Sequence, residues 1–222
     1  MPIALITGPA NAGKAELVME AVRRHLALGR EPLLVVTTRA DVEHYRRELA
    51  GEAAAMGVEV QRFHELIATV IRCAGERSPV LGGLARERLL AAIAARDGSD
   101  ISALPASAGF ARALASFVAE LQERRVTPAR LRSALLAVGG AGAPTAGLAR
   151  LFERYLLTLR RVRQLDEEQQ ALRALDALRR TPALWRGRPV LFYGFDDLTR
   201  LQLDAIETLG VLVGADVTAS LA

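Results

Sequence analysis

The chain has 222 residues, of which 51% are hydrophobic, and its net charge is +4. This composition excludes a disordered chain, and no apolar run is long enough to span a membrane. The single cysteine, Cys73, excludes an intrachain disulfide and a cysteine-based metal cluster. Because the first residues also lack a signal-peptide pattern, we expect a cytoplasmic protein with one large domain or a core with an inserted subdomain.

The first third of the chain alternates between strand and helix patterns. Residues 3–7 form a short apolar run that predicts a buried strand, and residues 32–38 predict a fully buried parallel strand. Helical periodicity covers residues 14–28, whereas residues 58–72 begin like a strand and become helical near His64. This alternation predicts βαβ units around a parallel sheet.

The middle of the chain contains helical patterns and almost no strand signal. Candidate helices cover residues 83–96, 107–124, 127–137, 145–162 and 166–180. Strand patterns return at residues 188–195 and, after a short helix, at the end of the chain. We therefore predict an α/β fold, a P-loop NTPase-like parallel sheet with an all-helical insertion. Its parts are the first part of the core (1–75), the insertion (76–185) and the returning strands (186–222), and the abrupt end suggests a piece of a longer protein.

The segment "GPANAGKA", residues 8–15, matches the phosphate-binding P-loop pattern at every position but the last. Gly8 and Gly13 allow the tight backbone path, and Asn11 lies within the loop. Lys14 is placed to reach the β- and γ-phosphates. Ala15 stands where the pattern requires a hydroxyl that ligates Mg²⁺. We expect nucleotide binding at these five residues; the alternative is a glycine-rich turn without a ligand.

Lys14 is the only lysine in the chain, and the other 28 basic residues are arginines. A compact ammonium group on a flexible stem suits a phosphate loop, whereas a planar guanidinium does not. This distribution favours a chemical reason for the lysine over coincidence.

Two further segments make a family resemblance specific. "LLVVTTRADVEHYRREL" resembles motif Ia of the UvrD-type superfamily 1 helicases, and "VQRFHELIATVIR" resembles the histidine-containing element of the same family. In those helicases both elements face single-stranded DNA, so the resemblance implies a DNA-binding role for Thr37, Thr38, Arg39, Phe63 and His64. The alternatives are that the threonines end a strand and cap a helix, and that the histidine is an ordinary partly buried one.

A third segment, "VLFYGFDDLTRLQ", resembles the Walker B segment of these helicases. Without gaps, the matches are Phe195, Asp197, Leu201 and Gln202. The family's Mg²⁺-binding aspartate falls on Tyr193 and its catalytic glutamate on Gly194. The resemblance therefore implies a scaffold that has lost its metal chemistry. We interpret Asp196 and its neighbour as a turn or helix cap and expect no catalytic residue and no metal ligand.

The combination is similar to the AddB subunits of bacterial AddAB-type helicase–nucleases, which keep a helicase-like N-terminal half without a working motor. That resemblance implies single-stranded or end-DNA and an AddA-type catalytic subunit as partners in double-strand-break processing, with no membrane. It also implies that ATP is bound without hydrolysis and that Mg²⁺ is poorly held. Residues 76–185 correspond to the helical subdomain that such proteins insert between their motifs.

Three alternatives stay open. One is a functional ATP-dependent DNA helicase domain that uses displaced carboxylates. The second is a thymidine-kinase-like nucleoside kinase, whose start is similar to residues 6–36. The third is a protein–protein module that has lost its DNA surface. Nucleotide binding and DNA binding separate them.

The arginine-bearing stretches 160–164 and 178–188 raise one more question. Their guanidinium groups could bind phosphates, and Trp185 could stack on a base. The alternative is a solvated helix face beside a core tryptophan.

Overall fold

The computed structural model describes residues 3–9, 11–51, 57–76, 79–96, 107–139 and 146–221, without the side chains of residues 139 and 146. Contacts divide the chain into two compact units. The sheet unit comprises Met1–Arg77 and Ala171–Ala222, and the helical unit comprises Ser78–Gln170.

The strands are β1 (Ala4–Ile6), β2 (Leu33–Val36), β3 (Glu59–Arg62), β4 (Val190–Phe195) and β5 (Val217–Leu221). The helices are α1 (Lys14–Ala27), α2 (Arg39–Gly51), α3 (Phe63–Cys73), α4 (Gly83–Ala95), α5 (Ala108–Glu123), α6 (Pro128–Gly139), α7 (Ala146–Val162), α8 (Glu167–Arg180) and α9 (Arg200–Glu207). A short 3₁₀ helix (Pro182–Trp185) and a π-helical turn (Thr208–Leu212) complete the set. No described helix is both long and apolar enough to cross a membrane.

The five strands form one parallel sheet in the order β1-β5-β4-β2-β3. The prediction of an α/β protein with a parallel sheet is confirmed, and the arrangement is compatible with a P-loop-like fold. All four residues of β2 are buried, because β3 and β4 flank the strand and helices cover both faces of the sheet. The predicted buried strand at residues 32–38 is therefore confirmed for Leu33–Val36.

The expectation of a buried strand at residues 3–7 is wrong. Among the described strands β1 pairs with β5 alone, so it forms an edge of the sheet. The Leu5 side chain is 61% exposed, although the residue belongs to an apolar run. An apolar run predicts a strand, but its burial depends on which neighbours the fold supplies.

The side chains of β2 alternate between the two faces of the sheet. Leu33 and Val35 pack into one core with Ile67 of α3, and Leu34 packs into the other with Val22 of α1. This three-layer arrangement explains why the central strands read as continuous apolar sequence.

The helical unit has its own core between α4, α5, α6 and α7. The buried residues of that core are Leu90, Ala94, Leu114, Val118, Leu121, Leu131, Ala149, Leu151, Phe152, Tyr155 and Leu159. The helices predicted at residues 83–96 to 166–180 have counterparts in α4–α8 with closely similar bounds. Residues 171–185 group with the sheet unit. That residues 76–185 are an insertion into an older fold stays a prediction.

A buried polar network lies within the helical unit. The Asp166 carboxylate is fully buried and accepts hydrogen bonds from the Tyr155 hydroxyl and the Gln122 amide, both at 2.8 Å. Its other oxygen accepts from the Gln169 N–H at 2.9 Å, which caps the start of α8. Asp166 thus ties α5, α7 and α8 together through one side chain.

Candidate functional site

The carboxyl ends of the parallel strands gather the sequence motifs at one edge of the sheet. β1 leads into the P-loop, β2 into Thr37, β3 into Phe63, and β4 into Asp196. Ligands of open α/β sheets bind in the crevice outside this edge. We therefore treat the carboxyl edge as the candidate site.

The loop between β1 and α1 has left-handed backbone at two described residues, Gly13 and Asn11. Gly13 is left-handed, with φ of 74°, and α1 begins at the next residue. Glycine adopts this conformation without a Cβ penalty. Asn11 is also left-handed, with φ of 61°, and the Ala12 N–H donates to the Pro9 carbonyl at 3.3 Å. The N-terminus of α1 adds a partial positive charge beside the loop.

The Lys14 ammonium folds over its own loop. Its Nζ donates to the carbonyl oxygens of Gly8 and of Pro9, the latter at 3.2 Å. An incoming phosphate would have to replace these two bonds. Ala15, next on the helix, presents only a methyl group, so the position offers no oxygen to a metal ion.

Tyr193 fills the position that the resemblance assigns to the metal-binding aspartate. Its ring lies edge-on against Tyr45 of α2, with centroids 5.5 Å apart and planes at 83°. Burial raises the pKa of Tyr45, and a hydrogen bond with Tyr193 raises it further. The position therefore contributes to a packed aromatic pair and offers no carboxylate.

Gly194 fills the position of the family's catalytic glutamate and has φ of 82°. It lies where the register between β4 and β5 shifts, between Phe192 and Phe195. A residue with a Cβ is strained in this conformation, so a catalytic side chain cannot be placed here without cost. Within the described ranges, no group of three or more histidine, cysteine or acidic residues is arranged to hold a metal ion.

Thr37 and Thr38 are exposed, yet both hydroxyl groups are engaged. They donate to Asp41 Oδ2 at 3.0 and 2.7 Å, and the Thr38 N–H donates to the same oxygen at 2.9 Å. In return the Asp41 N–H donates to Thr38 Oγ1 at 3.1 Å, which completes a capping box for α2. The capping alternative therefore has direct support from the geometry of these two residues.

These hydrogen bonds also change the acidity of Asp41. Burial would raise the pKa of its carboxyl group, but the side-chain and backbone hydrogen bonds from Thr38, with that from Thr37, outweigh burial and hold the pKa below its ordinary value. Sequence analysis missed Asp41, although the Thr-x-x-Asp spacing is a readable capping signal.

The other three predicted DNA-binding residues are spread along the same edge. The Arg39 side chain is 82% exposed and its Nε donates to Glu43 Oε1 at 3.2 Å. His64 is exposed, so the alternative of a partly buried histidine is wrong for its side chain. Phe63 is half-buried against the core of the sheet. Arg39 and His64 are thus open to solvent, whereas Phe63 mainly anchors α3.

The segment after β4 is organised by a second capping box. The Gln202 N–H donates to Thr199 Oγ1 at 3.3 Å, and the Thr199 N–H donates to the Gln202 side-chain oxygen at 2.9 Å. Leu201 is buried in the core. Leu201 and Gln202 therefore have structural roles, in the core and in the helix cap, which explain their presence without any catalytic function. Asp196 and Asp197 lie in the loop before it, and both are exposed.

A cavity of about 1110 Å³ lies at the opposite, amino edge of the sheet. Trp185 lines it but is only 4% exposed, and its indole N–H donates to the Arg188 carbonyl at 2.7 Å. The base-stacking interpretation of Trp185 is therefore wrong, and the core alternative is confirmed. Two of the arginines that line it are already paired, Arg30 with Asp216 at 3.4 Å and Arg188 with Glu59 at 2.7 Å.

Comparison with known proteins agrees with the motifs at a coarse level. No family model matches the chain. The chain is 29% identical, over 236 residues, to the B-type subunit of an ATP-dependent helicase/deoxyribonuclease from Moorella thermoacetica. The chain is similar to a helicase–nuclease component. The match covers all of the chain but only 20% of the relative, so the chain spans about a fifth of that protein's length.

Proposed function

We propose that this chain is a helicase-like region of an AddB-like helicase–nuclease protein, acting in the cytoplasm on DNA double-strand breaks. In this proposal it binds single-stranded or end-DNA, docks a catalytic AddA-type subunit, and does not hydrolyse ATP. The supporting findings are the similarity to a helicase/deoxyribonuclease component over the whole chain and the parallel sheet with its P-loop.

One observation carries the proposal: the chain keeps the glycines and the lysine of the P-loop pattern, while the residues that the resemblance assigns to metal binding and catalysis are replaced. Gly13 is left-handed at the start of α1, and the Lys14 ammonium lies on the loop, where a phosphate could replace its bonds to the carbonyls. Ala15 lacks the metal-binding hydroxyl, Tyr193 packs on an aromatic ring, and Gly194 has a backbone conformation unsuited to a larger residue. Replacement of these three residues, with the glycines and lysine of the loop retained, favours nucleotide binding without hydrolysis.

The residues present fit a nucleotide phosphate but not its Mg²⁺ ion. Backbone N–H groups of the loop, the N-terminus of α1 and the Lys14 ammonium can hold phosphate oxygens. Ala15 supplies no hydroxyl and Tyr193 no carboxylate at the positions where the resemblance places metal ligands. We therefore propose that ATP, where bound, is a structural or sensing ligand held by backbone groups and Lys14.

For DNA we propose contact through the exposed side chains Arg39 and His64, with Phe63 holding α3 in place. A role for the Thr37 and Thr38 hydroxyls requires that they exchange the Asp41 carboxylate for a phosphate or base. The methyl groups of the two threonines are not held by Asp41, so they can contact DNA without this exchange. This proposal predicts a stronger effect on DNA binding from the arginine and the histidine than from the threonine hydroxyls.

The first experiment measures ATP binding by calorimetry with and without Mg²⁺, using the wild type, Lys14→Ala and Arg24→Ala. Arg24 is an exposed cation on α1 outside the loop and serves as the matched control. We expect binding that Mg²⁺ barely changes, that Lys14→Ala abolishes and that Arg24→Ala preserves. Loss of binding in Arg24→Ala as well would point to a general effect of positive charge and not to a specific contact of Lys14.

Turnover assays separate the remaining alternatives. Mg²⁺- and DNA-stimulated ATP hydrolysis that disappears in Lys14→Ala would falsify the inactive-motor proposal and favour a functional helicase domain. Phosphate transfer from ATP to thymidine would favour a nucleoside kinase. We expect neither reaction.

DNA binding is measured by fluorescence anisotropy over a range of salt concentrations. We expect the double variant Arg39→Ala/His64→Ala to bind single-stranded DNA more weakly and to have a shallower salt dependence, because a phosphate contact releases counterions. Arg47→Ala is the control, since Arg47 is an exposed cation further along α2. Equal weakening by both variants would contradict a site at the carboxyl edge.

A second candidate, a P-loop that serves only as scaffold, is favoured by the bonds between Lys14 and its own loop carbonyls. It predicts no ATP binding in either the wild type or Lys14→Ala. DNA and partner binding would then carry the whole function, as in the protein–protein or DNA-binding alternatives.

A further inference from the structure

The positive charge of the chain resides in the helical unit. Between Ser78 and Gln170 the sequence has 13 arginines against nine carboxylates, whereas the sheet unit has 16 basic and 16 acidic residues. The whole net charge of +4 therefore belongs to the helical unit. Electrostatic attraction therefore favours the approach of an acidic partner to the helical unit over the sheet unit.

A groove of about 430 Å³ lies between α4 and α7 of this unit. Its floor is aliphatic and its ends and sides are basic. The lining residues are Leu89, Ala92, Ile93, Arg96, Arg154, Leu157, Thr158 and Arg161. The lining therefore contains three arginines, no carboxylate and no aromatic ring.

The helical repeat explains how the groove is built. On α7, Arg154, Leu157 and Arg161 are spaced by three and four residues, so their side chains share one face. On α4, Leu89, Ile93 and the following Arg96 are spaced in the same way. Each helix contributes aliphatic side chains to the floor and arginine to the rim.

Two described carboxylates of the helices that flank the groove are engaged with neighbouring helices. Glu153 pairs with Arg132 of α6 at 2.9 Å, and Glu87 lies 4.0 Å from Arg112 of α5. Arg161 has no ion-pair partner in the part of the chain that the structure describes. Within the described residues, the positive charge of Arg161 is thus not neutralised by a carboxylate.

The floor is also open to solvent. The Leu157 side chain is 54% exposed, although it lies on the same helix as the fully buried Tyr155 and Leu159. An apolar centre with a charged rim is the usual anatomy of a protein–protein contact. A groove between two helices can accept a third helix that brings apolar residues at positions i, i+3, i+4 and i+7.

We propose that this groove docks an acidic amphipathic helix of a partner protein. Leucine-like side chains of that helix lie on the aliphatic floor, and aspartate or glutamate beside them pairs with Arg96 and Arg161. The inference specifies the docking surface of the proposed function and rests on it for the identity of the partner as a protein of the same complex.

Single-stranded nucleic acid fits the groove less well. Proteins that bind it combine basic residues with aromatic rings on which the bases stack. The lining here has the basic residues but only Leu, Ile, Ala and Thr between them. An aliphatic floor buries apolar side chains of a helix more effectively than it buries a stacked base.

The test uses a fluorescent synthetic helix with leucines at i, i+3, i+4 and i+7 and glutamates beside them, bound to the whole 222-residue chain. A second peptide carries lysine in place of glutamate. We expect the acidic peptide to bind and the basic one not to bind. Leu157→Asp and Arg161→Glu should each weaken binding about tenfold or more, as residues at the centre and rim of a contact do.

Two matched controls keep the test specific. Arg160→Glu makes the same charge change one residue away from Arg161, outside the lining, and Leu136→Asp alters a comparably exposed leucine of α6. We expect both to bind the peptide about as well as wild type. Circular dichroism spectra of all four variants check that the chain remains folded. Equal weakening by Arg160→Glu would overturn the proposal, because it would mean attraction without a groove.

The remaining outcomes are also decisive. Absence of acidic-peptide binding overturns the docking inference, as does an oligonucleotide that displaces the peptide and loses affinity in Leu157→Asp. The peptide assay contains neither ATP nor DNA. If it fails while both ligands bind at the carboxyl edge, the proposed function stands without this groove; if it succeeds while both fail, the groove stands without that function.

Discussion

The sheet unit and the helical unit use their polar groups in different ways. In the sheet unit the residues of the proposed binding site lie at strand ends, where Gly13 and Lys14 belong to the loop before α1. The core beneath them is formed mainly by apolar side chains. In the helical unit an acidic side chain, Asp166, is fully buried, and this unit carries the net positive charge of the chain.

The difference follows from how each unit fixes the relative positions of its strands or helices. A parallel ladder sets the register of neighbouring strands through backbone hydrogen bonds, so apolar side chains suffice to complete the core. Helices rich in leucine and alanine can slide or rotate against one another with little loss of burial. We infer that the Asp166 network selects one packing of the helical unit, a role that buried polar groups have in some proteins.

The largest expected effect is that of Asp166→Ala. The change leaves the buried Tyr155 hydroxyl and Gln122 amide without their acceptor and removes the cap of α8. We expect a loss of about 3 kcal/mol or more in the free energy of unfolding of the helical unit. Urea unfolding followed by circular dichroism measures it, with exposed Glu167→Ala as the control. If hydrogen exchange accelerates in the sheet unit as much as in α4–α7, the network does not act on the helical unit alone.

Gly194→Ala tests the irregularity in β4 of the sheet unit, where the register with β5 shifts. A Cβ at φ of 82° is strained, so we expect a loss of about 1–2 kcal/mol in stability. Gly51→Ala, at the end of α2 with no atom near its Cβ position, should be neutral or slightly stabilising. Thermal unfolding of the two variants compares them. A neutral Gly194→Ala would mean that the β4 bulge relaxes freely.

These elements also indicate how far the sequence alone predicts the molecule. The strand and helix patterns lead to the right elements because apolar periodicity reflects burial along one face of a single element. The exposure of Leu5 does not follow from that pattern, because it depends on β1 having β5 as its single described neighbour.

The candidate site divides in the same way. The loop of residues 8–15 and the Thr-x-x-Asp cap can be read from local spacing, since both are formed within a few residues. The pairing of Tyr193 with Tyr45 and the left-handed Gly194 require the sheet and α2 to be assembled first. The groove between α4 and α7 likewise arises from the packing of distant segments.

Thr38→Ala should cost about 1 kcal/mol, the usual value for an N-cap, and Thr37→Ala less. The pH dependence of stability separates the effect of the Thr38 helix cap from that of the Asp41 charge. Because the folded-state pKa of Asp41 is lowered, its contribution to stability is present above the ordinary carboxyl pKa and is lost as the pH falls through the folded value. Acid unfolding of Thr38→Ala should therefore begin from lower stability and depend less on pH. An unchanged acid profile would mean that Asp41 does not need the threonine.

Glu123→Gln in the helical unit is expected to have the smallest effect and the opposite sign. Burial, and then the charges of Glu168 and Glu120, raise the pKa of Glu123. The charged form therefore disfavours folding, and this cost appears as the pH rises through the raised pKa. We expect Glu123→Gln to stabilise the unit at neutral pH by less than about 0.5 kcal/mol and to change nothing in acid. Thermal unfolding at the two pH values measures the difference, and destabilisation at neutral pH would contradict it.

The solitary Lys14 makes the P-loop chemically addressable. Its Nζ is the one side-chain amine in the sequence, and it donates to the carbonyls of Gly8 and Pro9. An amine-directed acylating reagent can therefore modify this chain only there and at the α-amino group, and a lysine-specific protease has a single bond to cleave. The rate of either reaction reports whether the ammonium is bound to its own loop, bound to a phosphate or free, without any label added to the protein.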